Sequence, residues 1–168
     1  MTLADQNQLR LVIAADHAGF PLKEHLKSYL KHNGYSVVDL GTHSEQLVDY
    51  PDLALALARS VASGEYDRGI MVCGTGIGGQ IVANKVPGVR AGVCHDTYSA
   101  RVSRAHNDLN VLCLGGRVIG PELALDIVAT WLATDFSREE RHLRRVAKIA
   151  DIEHTRGDCP QRRRGRVS

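Results

Sequence analysis

The sequence has no apolar run approaching the ~20 residues that cross a bilayer, which argues against a membrane-spanning helix. Its first eight residues have neither the basic nor the apolar region of a secretion signal, so a cytoplasmic location is expected. Cysteine is scarce. Cys73, Cys94, Cys113 and Cys159 show no C-x-x-C spacing, which points away from zinc and disulfide frameworks and towards reduced thiols. No repeat, linker or low-complexity stretch divides residues 1–155. One domain is expected there, since a chain of 168 residues suffices to bury a single core.

The net charge of +2 is unevenly distributed. Residues 156–168 hold five arginines against one aspartate, a charge of +4, which leaves residues 1–155 at −2. That tail has no apolar period and reads as a disordered, solvated extension. It also lacks the aromatic residues on which bases stack, so no nucleic-acid partner is expected.

Apolar runs of strand length occur at Leu11–Ala14, Ser36–Leu40, Gly69–Val72, Arg90–Cys94 and Val111–Leu114. Helical spacing fills the gaps. Leu22, Leu26, Tyr29 and Leu30 share one face before Gly34, and Leu53, Leu57 and Val61 repeat the pattern after Pro51. A further helix follows Pro121, and a last one is expected to start at Ser137, with Glu140 completing a capping box. Strict alternation of strand and helix implies a doubly wound α/β fold around a five-stranded parallel sheet. Ligands in such folds bind beyond the carboxyl ends of the strands.

The segment Cys73-Gly-Thr-Gly-Ile-Gly-Gly79 follows the third run and has four glycines in seven residues, so its backbone can turn sharply and approach a ligand closely. It leads into a helix start, where free N–H groups favour negative charge. A thiol there has a physical reason to ionise. Gly74, Gly76 and Gly79 also satisfy G-x-G-x-x-G, with Asp96 at the end of the next strand, the outline of a dinucleotide fingerprint. Against a nucleotide stand the loop's place after the third strand and the lack of room for a second domain. Cys94 and Cys113 lie inside apolar strands and read as small buried hydrophobes.

Proton exchange calls for a histidine, and His17 and His106 are the better placed candidates, ahead of His43 and His95. His106 and Asn107, in the polar segment directly before the fifth strand, are expected near the rim of the strand ends. His25, His32 and His142 belong to helical segments and carry no such argument. Arg141 and Arg145 stack on one face of the last helix, with Leu143, Val146 and Ala150 on another, and an arginine pair can grip a phosphate. Arg117 follows the fifth strand directly.

Eight motifs in order, DHAGF (16–20), DYP (49–51), CGTGIG (73–78), NKVPGVRA (84–91), YSA (98–100), HNDLN (106–110), GGRVIG (115–120) and the spaced Arg141 and Arg145, resemble the ribose-5-phosphate/galactose-6-phosphate isomerase family, in particular its type B ribose-5-phosphate isomerases. The resemblance runs from about Leu9 to Glu153. It implies a Rossmann-like α/β/α sandwich, no metal or nucleotide cofactor, and a homodimer or tetramer with the site at the subunit interface. The implied substrate is a small phosphorylated sugar, isomerised through a cis-enediolate. Cys73 matches the base, and His106 the residue that protonates the ring oxygen while Asp16 takes the anomeric proton. The N–H groups of Gly74, Thr75, Gly76, Ile77 and Gly78, with the Thr75 hydroxyl, match the anion hole. His17, Arg117, Arg141 and Arg145 match the phosphate grip, Asn107 a hydroxyl contact, and Tyr50 a position near the site. The sequence leaves open which sugar phosphate is isomerised, with allose, galactose and tetrose phosphates as alternatives to the pentose.

Overall fold

Apolar residues and glycine run without alternation through 11–15, 69–73 and 111–115, as strands covered on both faces require, whereas the run 36–39 alternates exposed with half-buried residues. The computed structural model describes residues 9–155, and the basic tail lies outside the described residues. Five strands, β1 (Arg10–Ala15), β2 (Ser36–Asp39), β3 (Arg68–Cys73), β4 (Ala91–Val93) and β5 (Val111–Gly115), form one parallel sheet in the order β2-β1-β3-β5-β4. Helices α1 (Phe20–His32), α2 (Tyr50–Ala62), α3 (Ile77–Ala83), α4 (Thr97–Asn107), α5 (Pro121–Ala133) and α6 (Glu140–Thr155) connect and follow them.

The sheet separates two cores. On one face Leu11, Ile13 and Ile70 pack with Leu26 of α1 and with Ile127 and Trp131 of α5. On the other, Val12, Met71 and Cys113 pack with Ala54, Leu57 and Val61 of α2. The expected doubly wound α/β/α sandwich is therefore present. Its strand order reverses between β1 and β3, which opens a crevice at their carboxyl ends, where Asp16 and Cys73 stand.

Local signals set most boundaries. Gly34, at φ 79°, ends α1: its N–H donates to the Lys31 carbonyl and that of Tyr35 to the Leu30 carbonyl, both bonds of a Schellman cap. The last helix departs from expectation. It begins at Glu140, because Arg138 takes a left-handed φ of 55° and the Ser137 hydroxyl, 2.7 Å from His142 Nδ1, is held by that ring rather than by a capping box.

Candidate active site

The glycine loop sits where its sequence requires. Gly76 has φ 79° and lies so close to β5 that a Cβ would come within 3.1 Å of the Leu114 carbonyl carbon, so only glycine fits. Gly78 lies under the Tyr50 ring, whose Cζ would be 2.6 Å from a Cβ there. Cys73 ends β3 with its Sγ against the first turn of α3, 3.7 Å from where a Cβ on Gly79 would stand. Beside it a cavity of about 450 Å³ is lined by Asp16, Tyr50, Cys73, Thr75, Gly78 and Ile81, among others.

The neighbouring loops converge on this cavity. The Asp16 carboxylate, 5% exposed, accepts the Gly19 N–H at 2.9 Å and is held rigidly at the head of α1. Gly116 N–H donates to the Cys73 carbonyl and Arg117 N–H to the Gly74 carbonyl, which lays the Arg117 side chain over Gly74, its Cδ 3.9 Å from a Cβ there. His17 Nδ1 is buried without a partner among the described residues. Thus Asp16, His17, Tyr50, Cys73, the loop 74–78 and Arg117 come together in one chain.

The other expected residues do not join them. His106 and Asn107 occupy the last turn of α4, which runs back to the amino edge of the sheet before β5 begins at Val111. Cys73 pairs with Gly115 at the opposite end of β5, so the strand alone puts about 13 Å between the two groups. The expectation that His106 lies near the rim of the strand ends is therefore corrected: residues directly before a parallel strand stand at its amino end. Arg141 and Arg145 share that far edge, because α6 packs on α4. The apolar stripe of α6 is not buried in its own chain. His142 alone is buried among its described residues, whereas Leu143 is 49% and Ile152 58% exposed.

His142 is the residue that the helical pattern concealed. It is 1% exposed, and its ring lies 4.3 Å from that of His106. Burial pushes its pKa down, with the charges of His106, Arg141 and Arg145 acting the same way against Glu139. The only sequence signal was its place beside Arg141. Burial likewise raises the Cys94 and Cys113 thiols, consistent with two cysteines that serve as core. The dinucleotide outline loses its acidic residue, since both Asp96 oxygens bind Ser99 at the head of α4.

The family described as Ribose/Galactose Isomerase matches residues 11–149, most of this chain. The chain belongs to that family. It is 47% identical to the ribose-5-phosphate isomerase B of Escherichia coli over 147 residues, 88% of this chain and 98% of the relative. It is 45% identical to a D-erythrulose-4-phosphate isomerase of Pectobacterium atrosepticum over 87% of this chain and 96% of that protein. The solved structure of ribose-5-phosphate isomerase B from Clostridium thermocellum superposes with a TM-score of 0.86 at 54% identity, covering 88% of this chain and 99% of its own. Among the described residues no helix of this isomerase is long and apolar enough to cross a membrane.

Proposed function

We propose that this isomerase interconverts ribose 5-phosphate and ribulose 5-phosphate as a cytoplasmic homodimer, or a tetramer of such dimers. The observation that carries the reading is a buried thiol at the switch point of the sheet, facing a cavity shared with Asp16 and a glycine loop. His106 gives a proton to the ring oxygen while Asp16 takes the anomeric proton, and the sugar opens. The Cys73 thiolate then removes the C2 proton and returns it to C1. Charge developing on the enediolate oxygens is met by N–H groups of residues 74–78 and the Thr75 hydroxyl. His17, Arg117, Arg141 and Arg145 hold the phosphate, Asn107 holds a hydroxyl, and Tyr50 forms the wall over Gly78.

The separation of the two residue groups within one chain supports a site shared by two subunits. In this reading His106, Asn107, Arg141 and Arg145 complete the cavity of a partner, and the exposed stripe of α6 lies in the interface. The test is complementation. Cys73→Ala and the double variant Arg141→Ala/Arg145→Ala are each expected to be inactive, because each breaks every site. Mixed by co-expression, they form heterodimers with one intact site, and about a quarter of wild-type turnover returns in a symmetric dimer. Mixtures that stay inactive would refute the shared site. Full activity of Cys73→Ala would refute the base. The Pectobacterium relative supports one second reading, a four-carbon phosphate, which wild-type rates on both sugars decide.

A further inference from the structure

In the far half of the site two histidine rings, of His106 and His142, lie against each other. Among the described residues the His106 side chain makes no hydrogen bond, so no polar group among them sets the angle of its ring. A ring stands against it instead. The His142 imidazole lies with its centroid 4.3 Å away and its plane tilted by 32°. His142 is itself fixed from several sides: its Nδ1 is 2.7 Å from Ser137 Oγ, its backbone N–H donates to the Glu139 carbonyl, and the Ser137 N–H donates to the Ala105 carbonyl, next to His106 in α4. The left-handed Arg138 lets the chain fold back between these contacts.

We infer that His142 is a positioning residue, holding the His106 ring at the angle from which it protonates the sugar ring oxygen. This rests on the isomerase reading above. An acid that must deliver its proton along one direction needs its ring held to about 10–20°. A half-buried histidine without hydrogen bonds obtains that from packing alone. His142 suits the task because burial and the neighbouring cations push its pKa down, which favours the neutral ring.

The experiment exploits a property of the product. Ribulose 5-phosphate has its C5 hydroxyl esterified and cannot close a furanose ring, so deuterium wash-in at its C1 from D2O needs Cys73 but no ring opening. His142→Asn keeps a polar group near Ser137 and removes the ring. Conversion of ribose 5-phosphate is expected to fall about tenfold in kcat, a fraction of the 10²–10⁴ that a positioned acid contributes. KM and wash-in should stay within about twofold of wild type. His142→Phe returns a ring and should recover conversion to within about threefold. If His142→Asn does not fold, His142→Leu, which fills the same volume without a ring, carries the same expectation. Parallel loss of conversion and wash-in, or no loss of conversion, would overturn the inference. A wild-type protein that performs neither reaction would overturn the isomerase reading, and this inference with it.

Discussion

Gly78→Ala isolates the wall of the cavity from the chemistry within it. The added Cβ would stand 2.6 Å from Tyr50 Cζ and 2.9 Å from its hydroxyl oxygen, where ordinary contact begins near 3.4 Å. The ring must therefore retreat by about 1 Å, and being 37% exposed it has room to do so. Alanine meanwhile favours a helix over glycine by about 1 kcal/mol, which offsets the strain of displacing the ring. Net stability should change by less than about 1 kcal/mol in urea denaturation. Activity should not be spared, because a displacement of about 1 Å in a positioning wall lowers kcat/KM by about 10- to 100-fold. Initial rates of ketose formation from ribose 5-phosphate measure this. The effect should also vanish in a Tyr50→Ala background, where there is no ring left to move. Wild-type kcat/KM in Gly78→Ala, or an undiminished penalty in the double variant, would refute the reasoning.

Lys23→Met tests the buried cation of α1, whose fully buried ammonium binds both Asp39 oxygens at 2.7 and 2.6 Å. Breaking a buried pair costs about 3–5 kcal/mol; here Lys27 and the Gly41 N–H still hold the carboxylate, so about 2 kcal/mol is expected by urea denaturation at pH 7. Burial works to raise the Asp39 pKa, but hydrogen bonds from Lys23, Lys27 and Gly41 hold it below the usual carboxylate range. A lowered folded pKa contributes stability above the unfolded value near 4 and loses it as pH falls through the folded one, so the deficit of Lys23→Met should shrink in acid. A deficit that grows below pH 4 would contradict the pairing. At Gly34 a Cβ would meet nothing within 4 Å, so Gly34→Ala reports the left-handed φ alone: about 1–2 kcal/mol of destabilisation, with kcat/KM unchanged.

Much of this molecule is written in short-range pattern. The five apolar runs became five strands, and Gly34 and Pro121 bound their helices as their chemistry dictates, because strand burial, left-handed turns and first-turn proline depend on residues close along the chain. The loop 74–78 belonged to that class too, and the structure put Cys73, Asp16 and Arg117 around it. Ser137 did not follow its local signal: instead of reaching the Glu140 N–H as a capping box would, its hydroxyl is taken by the buried ring of His142 five residues on and by the Glu139 N–H at 3.3 Å. His106 was misplaced for another reason: a residue directly before a parallel strand stands at that strand's amino end, which parallel alternation already implies. What the tertiary structure alone decided is the crevice that the order β2-β1-β3-β5-β4 opens between β1 and β3, beside Asp16 and Cys73. Parallel strands divide the candidate residues into two groups at opposite ends of the sheet, and tertiary packing alone brought His142 against His106, because no pattern local to either helix specifies that α6 packs on α4.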